Sequence, residues 1–168
     1  MVFWYFIGYF YIFAINNYHI LNRMFNKETE YAIRGLVYIK VQNLKKRRPG
    51  TAEIAKEIDA PPYFVAKILQ RLVRSGFLES MKGKGGGFFF DENKSEVSLS
   101  KLVSSIEGDR SFNGCVFGLK QCDENNPCPL HFKYVTIRNS LNDLLSGETV
   151  GSLALEVYRS EPENIKNL

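Results

Sequence analysis

The run Lys82-Gly83-Lys84-Gly85-Gly86-Gly87-Phe88 constrains the fold more than any other part of the chain. Four glycines within five residues disfavour a helix, and glycine turns tightly where other residues would be strained. The flanking residues 77–82 and 88–91 read as short strands, so the run is the tip of a β-hairpin. Directly before it, residues 61–75 carry apolar side chains at helical spacing. Phe64, Val65, Ile68, Leu69, Leu72 and Val73 make an inward stripe, and Tyr63, Ala66, Lys67, Gln70 and Arg74 face out. Pro61 and Pro62 suit the first turn, where a missing N–H costs nothing, and Gly76 suits the C-terminal cap.

Upstream, residues 27–44 repeat Ala32, Ile33, Leu36, Val37, Ile39 and Val41 at helical spacing, until the basic run 45–48 and Pro49-Gly50 break the pattern. Thr51 is the expected N-cap of a short helix over 52–58, and Asp59-Ala60 the turn after it. Downstream, helical periodicity returns over 99–107 and stops at Gly108. A cysteine-bearing segment fills 109–127, a longer helix is expected over 129–145, and a last short one begins near Thr149. The expected fold class is mainly α with a small β-hairpin. Residues 24–91 form a winged helix-turn-helix, 92–158 carry the cysteine segment and the long helix, and 159–168 are a tail.

A winged helix-turn-helix places one helix in the major groove of DNA, polar face outward and apolar face held by the core. Tyr63 and Lys67 lie one turn apart near the N-terminal end that meets base edges. Lys67 suits guanine O6 and N7, and Tyr63 a base or a phosphate. Gln70 shares that outward face, while Arg71 and Arg74 suit either phosphate or a carboxylate of the chain itself. Lys82 and Lys84 at the hairpin can enter the minor groove or sit on phosphate. The plainer reading is a solvated helix and a flexible hairpin. Charge adds a modest argument for double-stranded DNA: residues 24–90 hold 13 Lys and Arg against 6 Asp and Glu, whereas 91–168 hold 8 against 12. The glycine spacing matches neither phosphate-binding loop of nucleotide enzymes, and no helix opens after it.

Cys115, Cys122, Cys128 and His131 put three thiols and an imidazole within seventeen residues. An odd number of cysteines in one segment is a poor disulfide framework and suits a metal or redox site in a reducing cytoplasm. The donor set fits either an iron–sulfur cluster or tetrahedral zinc; the plain alternative is three reduced cysteines and a surface histidine. A redox enzyme is disfavoured, since no CxxC pair accompanies the cysteines. Residues 1–23 are strongly apolar and aromatic, lack a basic start and a cleavage site, and fall short of a membrane-spanning helix. They are expected to be an extension preceding a start at Met24, with a membrane-associating segment as the alternative.

Taken together, Glu30-Tyr31-Ala32, the run from Tyr63 to Leu72, Lys82 to Phe88 and the three cysteines resemble the Rrf-two family of bacterial transcription regulators, over about 24–155. The resemblance implies a DNA-binding homodimer with no enzymatic activity, its seam the long helix and its two wings on a palindromic site. It implies that Lys67 reads bases and that Lys82 stands where a wing arginine enters the minor groove, a change that weakens the bidentate option there. It further implies that Cys115, Cys122 and Cys128 hold an iron–sulfur cluster. His131 matches the fourth ligand of IscR-like members, which carry a 2Fe-2S cluster. Glu30 matches the partner-subunit carboxylate of NsrR-like members, which carry a 4Fe-4S cluster. The 2Fe-2S form through His131 is preferred, and zinc without a sensing role is the alternative.

Overall fold

The computed structural model describes residues 25–108, 112, 114–115, 117–119 and 123–160. Residues 1–24, 161–168 and Cys122 therefore lie outside the described residues, and with them the expected extension and most of the tail.

The first helix, α1 (Lys27–Leu44), is capped by Asn26, whose side-chain oxygen accepts the Thr29 amide. Glu28 and Glu30 in its first turn complement the positive end of the helix dipole. Leu36, Val37, Ile39 and Val41 are fully buried along it, so α1 is the central post of the core. The next helix, α2 (Thr51–Glu57), starts one residue earlier than expected. Gly50 adopts the extended cap conformation and its carbonyl already accepts the first helical bond from Ile54, so Thr51 is a helix residue and not the cap.

Helix α3 (Pro62–Arg74) ends as its sequence suggests. The Phe77 amide donates to the Leu72 carbonyl and the Gly76 amide to Val73, a Schellman closure with Gly76 in the left-handed region. Two strands follow, β1 (Glu79–Met81) and β2 (Gly87–Phe89), paired antiparallel with Ser80 opposite Phe88. Both are shorter than expected, because neighbouring residues bond elsewhere. Phe77 closes α3, and the Phe90 amide donates to the Asn43 side chain at 3.0 Å.

Helix α4 (Leu99–Glu107) has the expected bounds and buries Leu99, Leu102 and Val103. Helix α5 (His131–Gly147) begins two residues later than expected and extends two further. Pro129 and Leu130 form a turn in which the His131 amide donates to the Cys128 carbonyl at 2.9 Å. Cys128 thus precedes the helix that His131 opens, and the two do not share a helical face. Helix α6 (Val150–Ser160) opens with a reciprocal pair of bonds between Thr149 and Ser152. A bridge between Ser98 and Thr149 returns the end of α5 to the start of α4, and α6 then packs on α1. Among the described residues, no helix is long and apolar enough to cross a membrane.

Candidate nucleic-acid interface and cysteine site

Helix α3 is held by Val65, Ile68, Leu69 and Leu72, each at most 4% exposed. Phe64 departs from the expected inward stripe. It is 39% exposed and meets the Tyr31 ring edge-on at 6.1 Å, because the first turn of α3 projects beyond the core. Ala66, expected to face out, is half-buried.

Tyr63, Lys67, Gln70 and Arg74 are all exposed on α3. Tyr63 and Lys67 are brought into direct contact, the ammonium lying 4.5 Å from the ring centroid. That cation–π contact restrains a flexible side chain while leaving its N–H donors free to point outward. Arg71 is half-buried and turned inward: one guanidinium nitrogen donates to Glu28 and another to the Ser105 carbonyl, each at 2.8 Å. Of the two uses its position allowed, the intramolecular carboxylate is the one realised.

The hairpin stands beside α3. Between them lies a groove of about 460 Å³ lined by Gln70, Val73, Arg74, Ser80, Met81, Lys82, Gly87 and Phe88. Gln70 and Arg74 of the helix therefore face Lys82 of the wing across one basic cleft, whose lining holds no carboxylate. Lys84 is exposed at the tip, outside that lining.

Contacts between residues distant in sequence fix the wing's angle. Phe88 donates its amide to the Pro49 carbonyl at 3.0 Å, Asn43 donates to the Arg47 and Phe88 carbonyls, and the Arg48 guanidinium lies 4.4 Å from the Phe89 ring centroid. Gly87 makes this docking possible. Its φ is +143°, and a Cβ there would come within 3.0 Å of the carbonyl oxygens of Arg48 and Pro49.

In the cysteine segment, Cys115 and Cys128 are both half-buried. His131 is 3% exposed and packs edge-on against Phe132, with ring centroids 5.0 Å apart. The donor chemistry suits a cluster, since thiols and an imidazole are among the side chains that hold iron–sulfur centres. Among the described residues no three metal-binding side chains converge, and Cys122, the fourth member of the set, lies outside them. Glu30 stands in the first turn of α1 and pairs with Lys27 at 2.7 Å.

A family profile described as Rrf2, an iron-dependent transcriptional regulator, matches residues 25–156. The chain is 31% identical to the transcriptional repressor NsrR of Streptomyces coelicolor, over 62% of this chain and 66% of that protein. Its fold matches that of CymR, the global cysteine regulator of B. subtilis, with a TM-score of 0.64 at 14% identity, covering 79% of this chain and 96% of that one. IscR of T. potens matches equally well, with a TM-score of 0.64 at 12% identity over 84% and 93% of the two chains. This chain belongs to the Rrf2 family and is a winged-helix transcription regulator, not an enzyme.

Proposed function

We propose that this regulator binds double-stranded DNA as a cytoplasmic homodimer and reports iron–sulfur, redox or nitric-oxide status through a cluster on its cysteine segment. The observation that carries the DNA reading is the basic cleft in which Gln70 and Arg74 face Lys82 beside the Tyr63–Lys67 pair. In this reading Lys67 donates to base edges, Tyr63 holds its stem in place, and Arg74, Lys82 and Lys84 neutralise phosphates. The wing-side lysine makes single contacts where an arginine would make two.

Helix α5 supports the second copy. It buries His131 and Leu145, yet Phe132, Ile137 and Leu144 are each more than 60% exposed. Residues 24–91 serve as the DNA-binding unit and residues 92–158 as the sensing and pairing unit.

Cys115, Cys122 and Cys128 hold a 2Fe-2S cluster as thiolates, and His131 supplies the fourth ligand. Bound there, the cluster supplies a centre whose oxidation, nitrosylation or loss changes what the segment is tied to. The burial of His131 beside Cys128 favours it over Glu30, whose carboxylate is engaged by Lys27. Anaerobic purification with iron and sulfide analysis tests the reading. Coloured protein that bleaches on Cys→Ser substitution at any of the three positions is expected. His131→Ala is expected to disrupt or convert the cluster while Glu30→Ala leaves its absorption nearly unchanged. The reverse pattern assigns Glu30 and a 4Fe-4S cluster, and a colourless protein with stoichiometric zinc removes the sensing role.

A further inference from the structure

The last turn of α4 is tied to α1 and to α3 immediately before the cysteine segment begins. Arg71, in the last turn of α3, donates to Glu28 of α1 and to the Ser105 carbonyl of α4. That carbonyl is one of the four that an α-helix leaves without a partner at its C-terminus, so Arg71 completes the end of α4. Glu107, two residues on, accepts from the Asn26 amide at 2.8 Å and from the Thr29 hydroxyl at 2.7 Å. A carboxylate at the end of α4 opposes that helix's own dipole, yet the start of α1 favours it. The end of α4 therefore caps the start of α1, while its own Ser105 carbonyl is taken by Arg71 of α3, and Gly108 then ends the helix.

We propose that Arg71 is a positioning residue that fastens the recognition helix to the base of the cysteine segment. Through it, the state of that segment sets the angle of α3. The transmission rests on the sensing role proposed above; the positioning role does not. Arg71 is unsuited to reading DNA itself, because its two donor edges are already committed within the chain. The fork is essential: lysine keeps the charge but holds one point donor where two directions are needed.

The test is a double-mutant cycle on the full chain, with a duplex enriched by the wild-type protein from a random pool and a scrambled duplex beside it. Arg71→Ala is expected to weaken the enriched duplex about tenfold and Glu28→Ala less, since that variant keeps the bond to Ser105. The double variant should be no weaker than Arg71→Ala, since the arginine carries both bonds. The salt slope should be unchanged and Arg71→Lys should not rescue. Hydrogen exchange at the α3 amides of the DNA-free protein should rise in both single variants. A loss on both duplexes with the salt slope reduced by about one, rescued by Arg71→Lys and absent in Glu28→Ala, makes Arg71 a phosphate contact and overturns the proposal. With cluster-loaded and cluster-free wild type compared, the difference in affinity should shrink at least fivefold in Arg71→Ala. Equal wild-type affinity in the two forms overturns the sensing role and the transmission, while the cycle still decides the positioning role.

Discussion

Replacing Gly87 with alanine probes the docking of the wing. The backbone there has φ +143°, a conformation that costs an L-residue about 1–3 kcal/mol. Alanine adds a second penalty, because its Cβ would enter the space of the Arg48 and Pro49 carbonyls, and neither is the free end of a flexible side chain. Relief requires the hairpin to back away from residues 48–49, which breaks the bond from the Phe88 amide to Pro49, worth about 1 kcal/mol. The expected total is about 2–4 kcal/mol of wing docking. Gly85 is the internal control: its φ is +77°, but a Cβ there meets nothing within 4 Å, so only the conformational penalty of about 1 kcal/mol applies. Urea denaturation reads the global loss, and hydrogen exchange at the Phe88 amide reads the local undocking. Gly87→Ala should expose that amide far more than Gly85→Ala and weaken binding to DNA of any sequence. Equal behaviour of the two variants in both assays would refute the argument that close approach, beyond turn geometry, requires glycine at 87.

Lys67→Ala should cost about 1–3 kcal/mol on the enriched duplex and relax base preference, whereas Lys84→Ala should weaken all duplexes alike and lower the salt slope by about one, both read by titration at several salt concentrations. Asn43→Ala removes the partner of the Phe90 amide and of two carbonyls, and should lower the urea midpoint by an amount equivalent to about 1–3 kcal/mol. Tyr38 provides a pH dependence: burial, and then its bond to Glu53, hold the phenol well above its ordinary value of 10. The folded state disfavours the phenolate, so the stability from Tyr38 is complete below pH 10 and is lost as pH climbs above it. Tyr38→Phe should therefore flatten the alkaline fall in stability measured by urea denaturation, and an unchanged slope would remove Tyr38 as its source.

Where structure depends on neighbours in sequence, the chain's own pattern was sufficient. The bounds of α1 and α4, the Schellman closure at Gly76 and the glycine-tipped hairpin all follow from local periodicity, capping and turn chemistry. The outward set Tyr63, Lys67, Gln70 and Arg74 was legible for the same reason, since helical spacing separates the two faces. Tertiary structure decided whatever required knowing how far the core extends and what stands opposite. Phe64 has the spacing of a core residue, but the first turn of α3 reaches past the core, so it stays 39% exposed beside the Tyr31 ring. Gly87 is legible as a turn glycine, while its second requirement comes from two carbonyls far away in sequence. Arg71 had two uses open to it, and only the arrival of Glu28 and the end of α4 beside it selected one. The spacing of Cys115, Cys122, Cys128 and His131 names a donor set, but convergence on one centre depends on the path of the segment. A local pattern does not specify that path, because long-range contacts and any bound metal share in setting it.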